Sequence, residues 1–140
     1  MLPDACHVLL KKGQDDERLA LVVVGNAAIL DEQIGFLAQQ AIEKAVKAVL
    51  SYHRAPFRRT HDLSELLDLL KSHNIGFPSE LESSVALTPF ATQMRYDYLP
   101  SEADDEHALD RPTLMRLVRT ALHWAEGVCA PSDRELPGSA

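Results

Sequence analysis

Gln40, Glu43, Lys44 and Lys47 stand at i, i+3, i+4 and i+7 within GFLAQQAIEKAVKAVLSYH, residues 35–53. On a helix that spacing lines them up along one edge. Two lysines can hold phosphate oxygens, a glutamine can hydrogen-bond a base or a ribose, and a glutamate can neutralise a neighbouring cation. The same four residues also suit a solvated helix face on which Glu43 and Lys47 form an exposed ion pair worth about 0 to 1 kcal/mol. What separates these readings is the helix around them. Ile34, Leu37, Ala38, Ala41, Ile42, Ala45, Val46, Ala48, Val49 and Leu50 cover most of the remaining circumference, so the helix is nearly enclosed, and a polar line on an enclosed helix must be paired or face a cavity.

The elements that position this edge follow from periodicity and punctuation. The long helix is expected over 31–52, as the central element of the fold. Before it, the segment 4–24 is read as a helix with a polar middle, KKGQDDER; a buried strand over LALVVVGN is the alternative, but no second β-branched run exists to pair with it. After it, HRAPFRRTHD is a connection broken by Pro56. A third helix starts at Asp62 as N-cap, with Glu65 three residues on as an acidic form of the capping box and Leu63, Leu66, Leu67 and Leu70 as its apolar stripe. A fourth opens at Pro78 or Ser79 through Leu81, Val85 and Leu87, with an interruption at Pro89, and stops near MRYDYLP. A loop whose charged groups are Asp97, Glu102, Asp104, Asp105, Glu106 and Asp110 leads into a last helix over 111–128, with Pro112 in its first turn. The expected fold is all-α, a five-helix up-and-down antiparallel bundle, with one domain over 1–128 and a flexible tail over 129–140.

Composition narrows the function classes. The chain has 140 residues, 46% of them hydrophobic, and a formal net charge of -7, enough for one core and wrong for a protein coated in positive potential. Any anion binding must rely on a focused cluster. The two cysteines, Cys6 and Cys129, lie near opposite ends without metal-ligand spacing in the sequence, so no disulfide framework is indicated. No stretch reads as a signal peptide or as a membrane span, and the expected location is cytoplasmic. The acidic run EADDEH lacks the pattern and glycine of a calcium loop, and no P-loop, GxGxxG, HExxH or GxSxG is present. Neither metal nor cofactor is expected.

Three motifs in this order, FLAQQAIEKAVKAVL, RTHDLSELLDLL and MRYD followed by a closing helix, resemble the HEPN domain (higher eukaryotes and prokaryotes nucleotide-binding). The resemblance extends over residues 4–128. It implies a five-helix bundle that dimerises, often encoded beside a minimal nucleotidyltransferase, and a shared polar site made of Gln40, Glu43, Lys44, Lys47, His61, Arg95 and Tyr96, with Tyr96 or Phe36 able to stack on a ring. Many members of the family are ribonucleases with an R-x(4 to 6)-H motif. Here Arg54 to His61 and Arg116 to His123 each enclose six residues, but the first pair crosses Pro56 and the second lies inside the last helix; from Arg95 to the next histidine, His107, eleven residues lie between. The resemblance therefore implies a nucleotide-binding or nucleotidyltransferase-partner module of toxin–antitoxin type, with a toxin-like metal-independent ribonuclease and a purely structural dimer as the alternatives. Expected partners are a second copy of the chain, a minimal nucleotidyltransferase, and a nucleotide or RNA. Lys44, Lys47 and Arg95 are the expected phosphate-accepting patch.

Overall fold

The computed structural model describes residues 4–91 and 109–130. Among these it is all-helical, without strands: α1 Ala5–Val23, α2 Asp31–Tyr52, α3 Leu63–Ser72, a 3-10 stretch Ser79–Leu87, α4 Thr88–Ala91 and α5 Arg111–Cys129. Arg95, Tyr96, His107 and most of the acidic loop lie outside the described residues, as do 131–140.

In α1 the Asp4 carboxylate accepts the His7 N–H and caps the start. Cys6, Leu10, Gly13, Glu17 and Ala20 form its buried stripe, spaced alternately four and three residues apart. That stripe runs straight through the polar middle. The β-branched run that could have been a strand is the last turn of the helix, with only Ala20 of its neighbourhood fully buried and Val22 76% exposed. Gly13 sits where a Cβ would meet Ala41 O at 3.3 Å and Leu122 Cδ2 at 3.1 Å, so α1 lies close against the small-residue surface of α2.

α2 is the axis of the fold and packs against every other element. Gln33 Oε1 accepts the Leu30 N–H at its entrance. Ile34, Ala38, Ala41, Ile42, Ala45, Val46, Ala48, Val49 and Leu50 are wholly buried. The wide apolar surface of α2 is thus consumed inside the chain; of the large exposed apolar side chains among the described residues, Leu19, Leu21, Val22 and Leu30 lie around the α1–α2 connection, and Val8 and Tyr52 lie away from it. Gly35 is needed in mid-helix because a Cβ there would come within 2.7 Å of the Phe90 ring, which seats α4 on α2. α2 and α3 both end in a left-handed residue, Arg54 (φ 57) and Asn74 (φ 58). Ala55 and Ile75 then return their N–H groups to Leu50 O and Leu70 O, which satisfies the last free carbonyls.

Two expectations need correcting. Asp62 does cap α3, accepting from Ser64 N and Glu65 N, but the Glu65 side chain does not close a capping box; it takes a bidentate ion pair from Arg58 Nε and Nη2 at 2.7–3.0 Å. The Asp62 N–H goes to Thr60 Oγ1. The segment after Pro78 is a 3-10 helix and not an α-helix until Thr88. Its buried residues are Leu81, Ser84 and Leu87, a period of three, which is the 3-10 repeat. Ser84 follows this line because its hydroxyl is satisfied by Leu81 O at 2.6 Å. α5 is capped by Asp110 and extends one residue beyond expectation, to a buried Cys129.

Arg111 closes the fold between α5 and the α1–α2 connection. Its guanidinium donates to Val24 O (2.8 Å), Asn26 O (3.2 Å) and Ile29 O (2.5 Å) and pairs with Asp31 Oδ1 (2.9 Å). A groove of about 480 Å³ lined by Gly25, Ala27, Ile29, Leu30, Asp31 and Arg111 lies beside this clamp.

Candidate functional site

The polar edge of α2 is not a surface. Glu43 is buried, with both carboxylate oxygens engaged: Oε1 accepts from Gln39 Nε2 at 2.9 Å and lies 3.0 Å from His61 Nδ1, and Oε2 accepts from Lys47 Nζ at 2.8 Å. Gln40 Nε2 extends the chain by donating to Gln39 Oε1 at 2.7 Å. Gln39 Nε2 also reaches His61 O at 3.1 Å, which ties the α2–α3 connection to the helix. Lys47 lies 5.7 Å from the centroid of the Phe57 ring, a second attraction for its cation. The Lys47–Glu43 pair is therefore far from the exposed bond expected of an i, i+4 surface pair: its side chains are 12% and 4% exposed.

The segment Thr60 to Leu63 positions the imidazole. Thr60 Oγ1 fixes the turn through Asp62 N, Asp62 starts α3, and the Leu63 N–H donates to Thr88 Oγ1 of α4. The His61 ring is left half-exposed with its Nδ1 edge on Glu43. Gln40, Glu43, Lys47 and His61 are thus brought together as expected. Lys44 is not with them: its ammonium turns to α1 and pairs with Asp16 Oδ2 at 2.6 Å. Arg95 and Tyr96 are outside the described residues, and Phe36 is half-buried on α2.

Gln39 is the member that residue types did not single out. It is wholly buried and holds Glu43, His61 and Gln40 at once. The signal was present in the spacing, since Gln39 stands four residues before Glu43 and in the apolar arc of α2, where a lone amide must be paired.

Chemically, the arrangement is a buried carboxylate that holds an imidazole by Nδ1 and is itself balanced by one lysine. Such a carboxylate orients the ring by its Nδ1 edge and leaves the Nε2 edge toward solvent, where it can meet a ligand or pass a proton. Beside it, Asp62, Glu65 and Asp68 line an acidic groove of about 400 Å³ along α3. A phosphate is repelled there, so its favourable approach to His61 is from the α2 side, past Gln40 and Lys47. The R-x(6)-H pairs make no comparable site. Arg54 is the left-handed residue after α2, and Arg116 and His123 are exposed two turns apart on α5, with Arg116 Nη2 bonded to Thr113 Oγ1.

Among the described residues no helix is long and apolar enough to cross a membrane. Compared with known protein families, residues 31–128 match the model of the HEPN domain. The match starts with α2 and ends in α5, so it contains the whole polar network and leaves α1 outside. No curated protein and no solved structure matches the chain.

Proposed function

The chain belongs to the HEPN domain family, and on that premise we propose that it is a nucleotide-linked binding module of toxin–antitoxin type, acting as a homodimer and as the partner of a minimal nucleotidyltransferase. The observation that carries this reading is the Glu43–His61 contact, a buried carboxylate holding a half-exposed imidazole at 3.0 Å beside Lys47 and Gln40. At the mouth of this network the imidazolium form of His61 donates from Nε2 to a phosphate oxygen and Gln40 contacts sugar or base, while Lys47 adds positive potential from behind. Lys44 plays a lesser part than its place in the motif implies, because Asp16 already neutralises it. Arg95 and Tyr96 remain proposed members of the ligand set on their place in the motif alone.

The homodimer rests on the exposed Leu19, Leu21, Val22 and Leu30, an apolar group at one end of the fold that a second copy would cover. Sedimentation at micromolar concentration is expected to give twice the 15.5 kDa chain mass, and a monomer would remove this part of the proposal.

A ribonuclease is the second reading, favoured by the same carboxylate–imidazole pair, which is a general acid–base arrangement. Labelled single-stranded RNA incubated with the purified chain in chelator separates the two. Retarded but intact RNA supports a binding module; cleavage that disappears in His61→Ala makes the chain a metal-independent ribonuclease.

A further inference from the structure

Between Glu43 and Asp62 the sequence holds Lys44, Lys47, Arg54, Arg58 and Arg59, and no Asp or Glu. Five of the 14 Lys and Arg thus fall in a stretch that has none of the 21 Asp and Glu, on a chain of net charge -7. Lys44 and Lys47 are taken up by Asp16 and Glu43. The surface charge of the stretch is therefore that of the three arginines in the α2–α3 connection. Among the described residues only Arg58 pairs with a carboxylate, Glu65, and its side chain is still 70% exposed. Arg54 and Arg59 are exposed without such a partner.

Three contacts lay this connection back along α2. The Ala55 N–H donates to Leu50 O at 2.9 Å, the Phe57 ring meets Lys47 Nζ at 5.7 Å, and His61 meets Gln39 and Glu43. The connection therefore runs antiparallel to the helix, from the level of Leu50 to that of Glu43, a length of about 10 Å at 1.5 Å per residue. Ala55 and Thr60 are buried and Phe57 is half-buried, while Arg54, Arg58, Arg59 and His61 face solvent. At the outer end Tyr52 is 46% exposed, with the His53 ring edge-on to it at 5.2 Å. The exposed cations thus lie between an exposed aromatic ring and the half-exposed imidazole of the network.

We propose that residues 52–61 form a docking strip for a single-stranded polynucleotide, continuing outward from the His61 mouth; the proposal rests on reading that mouth as a nucleotide site. Guanidinium forks hold successive phosphates, and the Tyr52 ring takes a base on its face whatever the base is. Basic groups interleaved with aromatic rings are the combination that binds single strands without reading their sequence. The strip has room for about three nucleotides at a stacked spacing of about 3.4 Å, and Tyr52 stacks one more beyond them. A duplex keeps its base faces stacked on one another and cannot use that ring. Glu65 does not block the strip, because an ion pair at the surface is worth only about 0 to 1 kcal/mol and a phosphate can replace it. The acidic groove of Asp62, Glu65 and Asp68 flanks the strip and repels the strand toward the α2 side.

The test is fluorescence anisotropy of the full chain with end-labelled oligouridylate and oligothymidylate of about eight nucleotides, within the usual site size, beside calorimetry with ATP. Oligouridylate is expected to bind more tightly than ATP, with a log–log salt slope of about -2, from three phosphates at about 0.7 each. Arg59→Gln, at an exposed side chain, and Arg54→Gly, which keeps the left-handed backbone, should each flatten the slope by about 0.7. Tyr52→Leu should weaken the oligomer about fivefold or more, the loss of one stacked base. All three variants should keep the wild-type affinity for ATP and melt within a few degrees of the wild type. Binding of either oligomer with these losses supports the strip, and a preference for oligouridylate makes RNA the source through its 2′-hydroxyls. ATP bound with oligouridylate no tighter overturns the strip and leaves the His61 mouth. Oligouridylate bound with unchanged affinity and slope in all three variants overturns the strip as well, and no binding of either ligand contradicts both. Oligouridylate bound with the expected losses but without ATP binding keeps the strip and removes the mononucleotide mouth.

Discussion

Lys47 Nζ lies 2.8 Å from Glu43 Oε2, and the two side chains are almost entirely removed from solvent. Burial reverses what this pair means for stability. An exposed i, i+4 pair is dispensable, whereas truncating one partner of a buried pair leaves a charge without compensation. Lys47→Ala is expected to cost about 3 kcal/mol in denaturant unfolding. The double variant Lys47→Met with Glu43→Gln, which removes both charges and keeps the shape, should recover most of that loss. A Lys47→Ala protein as stable as the wild type would show that Gln39 and His61 alone satisfy Glu43.

Arg111 is predicted to be the most sensitive basic residue outside the network. Its planar fork serves three carbonyls and one carboxylate at once. The point charge of a lysine cannot reach all four. Arg111→Lys should lower unfolding free energy by about 1 kcal/mol or more, since part-buried acceptors are left to find other partners. Thermal melting checks it, and a Tm unchanged from the wild type would mean that the α1–α2 connection holds without the clamp.

Glu17 gives a pH signature. Burial against α2 and α5 raises its carboxyl above the ordinary carboxylate range, an effect that Arg119, 3.4 Å away, only partly opposes. A raised value in the folded state means the fold binds this proton more tightly than the unfolded chain does. Its contribution therefore favours folding at low pH and is lost as pH rises through the raised value. Glu17→Gln should accordingly melt higher than the wild type at pH 7, and the difference should shrink toward pH 4, near the unfolded glutamate value of about 4.3. A variant that melts lower at pH 7 would show that the Arg119 pair outweighs burial.

Local chemistry made much of this legible beforehand. The bounds of α2, the cap at Asp62, and the leucine stripe of α3 all come from interactions within a few residues, which spacing alone reports. What spacing could not report is which polar residues the neighbouring elements cover. Gly13 and Glu17 look like surface in KKGQDDER, yet they lie on the buried stripe because α2 and α5 pack there. Lys44 left the expected site because its ammonium pairs with Asp16, 28 residues away on α1. The Glu43 carboxylate is enclosed by His61, 18 residues on, and the His7 ring reaches the Cys129 carbonyl, which joins opposite ends of the described chain. These are properties of the packed helices and not of any one of them.

The most direct measurement of the proposed binding role is calorimetric titration of the wild-type chain and of His61→Ala with ATP and with a short single-stranded RNA, at two salt concentrations. His61 suits this test better than Lys47 because its ring is half-exposed and its removal leaves the Lys47–Glu43 pair intact. The predicted result is saturable binding by the wild type that weakens with salt, at least tenfold weaker binding by His61→Ala, corresponding to about 1.4 kcal/mol or more, and melting temperatures within a few degrees of each other. No heat from either ligand with the wild type, or equal affinities for the two proteins, would contradict a ligand site at Glu43–His61 and leave that network as part of the fold alone.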